Sequence, residues 1–198
     1  MAMIDKSNQW IHGHVLIRDF VTGEILVDKD NAINYENFSI SLARTVANRP
    51  DSWIQEMCFG NGGATVSEIG TITYLPPNVV GQTATLYNQT YYQVVDDQNP
   101  LDLDPTQNYI STSHIDATTY TDVIVTCLLD LGQPSGQDAF DTATNIGGTY
   151  VFNELGLKAY NPNGPNTGRL LTHVIFSPVQ KSLNRQIQIV YTIRIQTV

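Results

Sequence analysis

A chain of 198 residues is long enough to bury one sizeable core without disulfide or metal staples. Its net charge of −9 argues against a phosphate-neutralising face for nucleic acid and against attraction to an anionic membrane surface. Only 15% of its residues are charged, while Thr, Asn, Gln, Tyr and Gly abound, the composition of a β-rich protein with an uncharged polar surface.

At the amino terminus, residues 1–9 carry one positive charge, Lys6, and no apolar run, so no secretory signal is expected. No stretch approaches the roughly 20 apolar residues of a membrane span. The expectation is a soluble chain made in a cytoplasm. Residues 14–20 and 24–27, joined at Thr22-Gly23, read as a hairpin. After Asn31 the period changes. Tyr35, Phe38, Leu42, Ala43 and Val46 recur at helical spacing behind Asn34, a suitable N-cap, and Pro50 lies past the end. One amphipathic helix over about residues 34–48 is predicted.

Residues 53–59 form a short strand candidate that runs into Gly60-Asn61-Gly62-Gly63, a sequence suited to a sharp reversal. The stretch from about 64 to 118 contains Pro76-Pro77, Asn99-Pro100 and Asp104-Pro105, with residues 85–95 as its clear strand candidate. It reads as a long loop-rich insertion used for subunit contacts. Residues 119–131 alternate, with Val123, Val125, Cys127, Leu129 and Leu131 on one side; Ile124 and Leu128 on the other imply that part of the outer face is covered too. Residues 149–159 and 169–177 pair as strands around an Asn- and Pro-rich turn. The last segment, R-Q-I-Q-I-V-Y-T-I-R-I-Q-T-V, places Ile187, Ile189, Tyr191, Ile193 and Ile195 on one side and polar residues on the other. Six to eight strands, one helix and Gly/Pro turns predict a mainly β protein, a single antiparallel β-sandwich or jelly-roll-like domain over 1–198.

Three segments then resemble a known class. Asn31-Ala32-Ile33-Asn34 ahead of a helix, Cys58-Phe59-Gly60-Asn61-Gly62-Gly63, and Phe152-Asn153-Glu154-Leu155-Gly156-Leu157 are similar to segments of virion structural proteins of tailed bacteriophages. Residues 170–181, L-L-T-H-V-I-F-S-P-V-Q-K, leading into Tyr191-Thr192-Ile193-Arg194-Ile195, extend the likeness. It covers mainly 31–63 and 148–198 and leaves 64–147 unmatched. The resemblance implies a homo-oligomeric building block that contacts other virion proteins by sheets and loops, without chemistry or cofactor. Its place would be the tail, baseplate or neck, with a capsid decoration protein as the alternative.

Candidates for chemistry are sparse. His12 and His14 could share a strand face and bind a metal with His114 or His173, although ordinary surface histidines have the same pattern. Asp96, Asp97, Asp102 and Asp104, or Asp138 and Asp141, could supply calcium ligands but lack the helix-loop-helix spacing. Gly60-Asn61-Gly62-Gly63 has no following Lys-Ser/Thr, so it reads as a turn and not a phosphate cradle. No Gly-x-Ser-x-Gly occurs, and Cys58 and Cys127, among apolar neighbours, read as buried reduced thiols. A non-enzymatic chain with no metal or cofactor site is expected. Trp10 or Trp53 with Asp and Asn loops would serve a third reading, a carbohydrate-binding module. Tyr74, Tyr87, Tyr91 and Tyr92 are candidates for subunit contact, with packing inside the sheet as their other reading. Glu154 interrupts an apolar strand, and a structural ion pair is expected with Lys158, Lys181, Arg169 or Arg185, or else a backbone contact.

Overall fold

The computed structural model describes residues 9–139 and 149–197. The protein is mainly β, with a large curled antiparallel sheet and one helix in a β-sandwich-like arrangement. Strands β1 (Gln9–Asp19) and β2 (Ile25–Ile33) form the predicted hairpin, and Gly23 takes the positive φ of its turn. Helix α1 (Tyr35–Val46) follows, capped by the Asn34 side chain, which accepts from the backbone N–H of Asn37. Its packed face is narrower and more polar than the sequence stripe suggested. Asn37, Phe38 and Ser41 are buried, while Tyr35, Ala43 and Val46 face solvent.

The remaining strands are β3 (Ile54–Gly60), β4 (Ala64–Val66), β5 (Ile72–Tyr74), β6 (Gln89–Val94), β7 (Tyr109–His114), β8 (Tyr120–Leu129), β9 (Thr149–Ala159), β10 (Thr172–Ser182) and β11 (Ile187–Thr197). Nine of the strands form one sheet in the order β6-β3-β9-β10-β2-β1-β11-β8-β7, and β4 and β5 form a separate two-stranded arm. The β10–β2 junction consists of two residue pairs, Thr172 with Ile33 and His173 with Ala32. The long sheet folds over at that seam into two halves. Their inner faces share one core: Val15, Ile17, Ile189 and Tyr191 from one half, Met57, Phe59, Phe152 and Leu157 from the other. Edge-on contacts of Phe152 with Phe59 and Phe176, at 5.4 and 5.8 Å between centroids, fill its middle.

The carboxyl-terminal alternation behaves as its period requires. Ile187, Ile189, Tyr191 and Ile193 are fully buried, and β11 is paired on both sides, with β1 and β8. The middle of the chain differs from the sequence expectation of an excursion, because it returns to the sheet twice. Its β6 forms one edge and its β7 the other. The strand predicted over 85–95 is shorter, since residues 85–88 are drawn off the sheet by side-chain contacts described below.

Candidate functional site

Two of the motif segments, 58–63 and 152–157, meet on the outer face of the β3-β9-β10 half, and residues 31–34 lie beside them through the pairing of Ala32 with His173. The cause is a bulge between β9 and β10: Phe152 pairs with Val179, yet Glu154 pairs with Ile175, so Asn153 alone on one strand faces Phe176, Ser177 and Pro178 on the other. Pro178, which has no N–H to give a ladder, sits in the looped-out part. Phe152 and Leu155 both belong to the inner core, and the phase slip between them brings the consecutive polar residues Asn153 and Glu154 onto one turn. Asn153 Oδ1 accepts from Gly63 N–H at 2.9 Å, and Glu154 Oε1 accepts from Gly62 N–H at 3.0 Å.

Glu154 is fully buried and accepts four hydrogen bonds. Besides Gly62, the donors are Asn88 N–H to Oε1 at 2.8 Å, Tyr87 N–H to Oε2 at 2.9 Å, and His173 Nε2–H to Oε2 at 3.0 Å. The tautomer follows from the other side of the ring, where Asn78 N–H donates to His173 Nδ1 at 2.8 Å, so the proton resides on Nε2. Burial raises the carboxyl pKa, but the bonds from His173, Asn88, Tyr87 and Gly62 outweigh it and hold Glu154 below the ordinary value of 4.5. Its partners are therefore an imidazole and three backbone amides, not Lys158, Lys181, Arg169 or Arg185. The cations have other tasks: Lys158 Nζ binds Gln89 and Asn166, Lys181 Nζ binds the carbonyls of Asp130, Gln133 and Ser182, and Arg185 binds Asp19. Burial lowers the Lys181 amine to about 8.

The glycines of this node are required by close approach. A Cβ on Gly60 would lie 2.4 Å from Asn88 O and 2.5 Å from Glu154 Oε1, and one on Gly156 would lie 2.6 Å from Thr172 O. A Glu–His pair suggests acid–base catalysis, but both ring nitrogens and both carboxylate oxygens are engaged and the pair has no exposed surface. What it does is mechanical. It ties residues 62, 78, 87 and 88 to the sheet, and Leu86 and Ala84 thereby pack with Cys58 and Leu170 in a second apolar cluster on the outer face. Sequence reasoning singled out Glu154 but missed His173 as its partner. The legible signal was a lone His in the apolar run L-L-T-H-V-I-F on the strand neighbouring a lone Glu.

The other candidates scatter. His12 lies by Asp30 and His14 by Asp28 on the exposed hairpin, and His114 Nδ1 contacts Tyr120 O. Among the described residues no group of three or more His, Cys, Asp or Glu could hold a metal ion. Asp96, Asp102 and Asp104 accept from neighbouring backbone amides in their own loop; Asp138 is exposed, and Asp141 lies outside the described residues. Both cysteines are free and buried, and burial pushes the Cys58 thiol up to about 12. Of the four tyrosines, Tyr74 and Tyr87 reach the surface, Tyr92 is half-buried, and Tyr91 is taken out of any contact surface by the core, where its hydroxyl donates to Gln93.

An arm and a cavity stand out among the outward features of the described residues. The first is the β4–β5 arm, which displays Val66, Ile69, Ile72 and Tyr74 to solvent, Ile69 at 90%. At its base Leu75 N–H donates to Gly63 O, next to the Glu154 node. The second is a cavity of about 780 Å³ under α1, where the two halves part, walled by Phe38, Leu42, Ile54, Ile110, Val123 and Ile195. Trp53 stands at its rim, stacked on Tyr160 at 4.5 Å and donating Nε1–H to Asp96 at 3.0 Å, while Trp10 lies apart on β1. Compared with family models, curated proteins and solved structures, the chain gives no match.

Proposed function

We propose that this chain is a non-enzymatic structural subunit of a tailed-phage virion, located in the tail, baseplate or neck and joined to copies of itself and to other virion proteins. The observation that carries this reading is the arm. Four large apolar side chains project on a two-stranded ribbon that buries little against its own chain, yet its base is fixed by a buried, fully hydrogen-bonded carboxylate. An isolated two-stranded hairpin is marginal in water, so a ribbon of this kind gains its stability on a partner. The node beneath it takes Gly62, Asn153, Glu154 and His173 from the segments that resemble phage structural proteins, which supports placing the partner in a particle. The low charge of the chain suits such contacts, because interface cores are depleted of charge and enriched in Tyr.

Peptide mass spectrometry and cryo-microscopy of purified particles from the source test this. The chain is expected in stoichiometric copies, a few to a dozen per particle, with the arm in contact. Hundreds of copies would move it to the capsid surface as a decoration protein, and absence from particles would end the virion reading. Within the particle, a Val66→Ser, Ile69→Ser, Ile72→Ser variant is expected to fold normally and to lose incorporation; normal incorporation would remove the arm from the contact.

A further inference from the structure

The two edges of the nine-stranded sheet are finished differently. At the β6 edge the side-chain amide of Gln137 takes the place of a neighbouring strand. Tyr92 N–H donates to its Oε1 at 2.9 Å, its Nε2–H donates to Tyr92 O at 3.0 Å, and Asp138 N–H donates to Thr90 O at 3.1 Å. The β7 edge has no such cover among the described residues. Leu128 N–H of β8 points to the β7 side, where it donates to Asn108 Oδ1, so in the unbroken β7–β8 register Tyr109, Ser111 and Ser113 exchange the ladder bonds. Ile110, Thr112 and His114 therefore turn their N–H and C=O groups outward. The long approach of Ile110 N–H to Asp97 Oδ1, at 3.5 Å, agrees. β7 reads Y-I-S-T-S-H, with no Pro, Lys, Asp or Glu and no bulge, the devices that ordinarily keep an edge from pairing.

We propose that β7 is a pairing edge, to which β7 of a second copy of this chain adds antiparallel about a two-fold axis at Thr112. The proposal rests on the assembly reading in that it names where copies join, and it uses a surface other than the arm. In that register the strand complements itself. Tyr109, 37% exposed, and Ile115, 57% exposed and next after the strand, lie equally far from Thr112, so Tyr109 of each copy meets Ile115 of the other. Ser111 comes opposite Ser113, and Ile110, with Asp97 beside it, comes opposite His114, so no like charges are paired along β7. A foreign strand could take the same ladder bonds, but only a second copy supplies the matched apolar ends. Such a contact runs one sheet through two copies and closes as a dimer.

The test is sedimentation velocity of the purified full chain over a concentration series. A monomer–dimer equilibrium is expected, because a seam of this size makes a weak contact. Thr112→Pro removes an outward N–H that β8 does not use, so it is expected to keep the melting temperature and to weaken the dimer by about tenfold or more. A pair of charge variants checks the register without touching the backbone. Ser111→Lys with Ser113→Lys, and separately Ser111→Asp with Ser113→Asp, are each expected to be monomeric, and an equimolar mixture of the two to dimerise again. A wild-type chain that stays monomeric, charge variants that associate as the wild type does, or a mixture that stays monomeric would each overturn the proposal. So would association that survives Thr112→Pro and is lost in the Val66→Ser, Ile69→Ser, Ile72→Ser variant, which would assign it to the arm. Absence of the chain from particles would end the virion reading and leave the sedimentation result standing.

Discussion

The half made of β2, β1, β11, β8 and β7 and the half made of β6, β3, β9 and β10 share one core but meet different surroundings on their outer faces. The outer face of the first carries exposed or half-exposed polar pairs, Arg18 with Gln188 and Arg194 with Asp122. β1 and β11 each need one apolar face there, and their sequences alternate, whereas β8 is buried on both sides over its last five residues. The second half is covered on both sides, by the core within and by residues 75–88 without, so β9 is buried at nearly every position. A strand in that position does not alternate, and each polar group it buries must be matched by a specific partner. The first half is held mainly by apolar area, so its wet face tolerates surface change. The second is held by a few directional contacts, of which Glu154 organises the most.

That contrast can be broken most severely at Glu154. Glu154→Ala leaves three amides and an imidazole without their acceptor, and a loss of about 3–5 kcal/mol is expected in urea unfolding, with Glu154→Gln losing less. The sign of the pH dependence follows from the depressed pKa. The carboxylate contributes fully above its unfolded value near 4.5 and the contribution is lost as pH falls through the lower folded value, so Glu154→Gln should flatten the acid limb of the stability curve. A Gln variant with the wild-type acid limb would show that another group governs it.

In the first half the comparable injury is a cavity. Ile189→Ala, at a fully buried position, should cost about 2–5 kcal/mol by the same measurement, without altering the acid limb. Next in size is Gly156→Ala, whose Cβ would press on the Thr172 carbonyl; about 1–3 kcal/mol is expected, and a neutral result would mean that β9 and β10 can separate locally. The smallest effect should come from the wet face, where Gln188→Ala removes a contact with Arg18 on the exposed side and should stay within about 0.5 kcal/mol. A large loss there would erase the distinction between the halves.

Legibility in the sequence followed the same division. The β1–β2 hairpin, β8 and β11 could be read with their faces, because a period of two in an amphipathic strand records which side meets water. The helix was readable from its cap at Asn34, yet its stripe misled. Tyr35, Ala43 and Val46 are exposed, and Asn37 is buried with its amide donating to Leu170 O. The candidate site was half legible. Glu154 stands out as a charge in an apolar run, but among the nearby cations Lys158 and Lys181 bind amides and carbonyls and Arg185 binds Asp19.

The sequence by itself determined that the chain is mainly β, where most strands lie, that one helix interrupts them, and that the two thiols are buried, since all of these depend on local period and composition. Tertiary structure alone decided that β6 and β7 form the two edges, that a bulge turns Asn153 and Glu154 onto one glycine turn, and that His173 is the partner of Glu154. It also created the cavity under α1. Those outcomes depend on register and on how two halves of a sheet close over each other, and residues separated by 19 to 92 positions carry no local pattern that fixes their meeting.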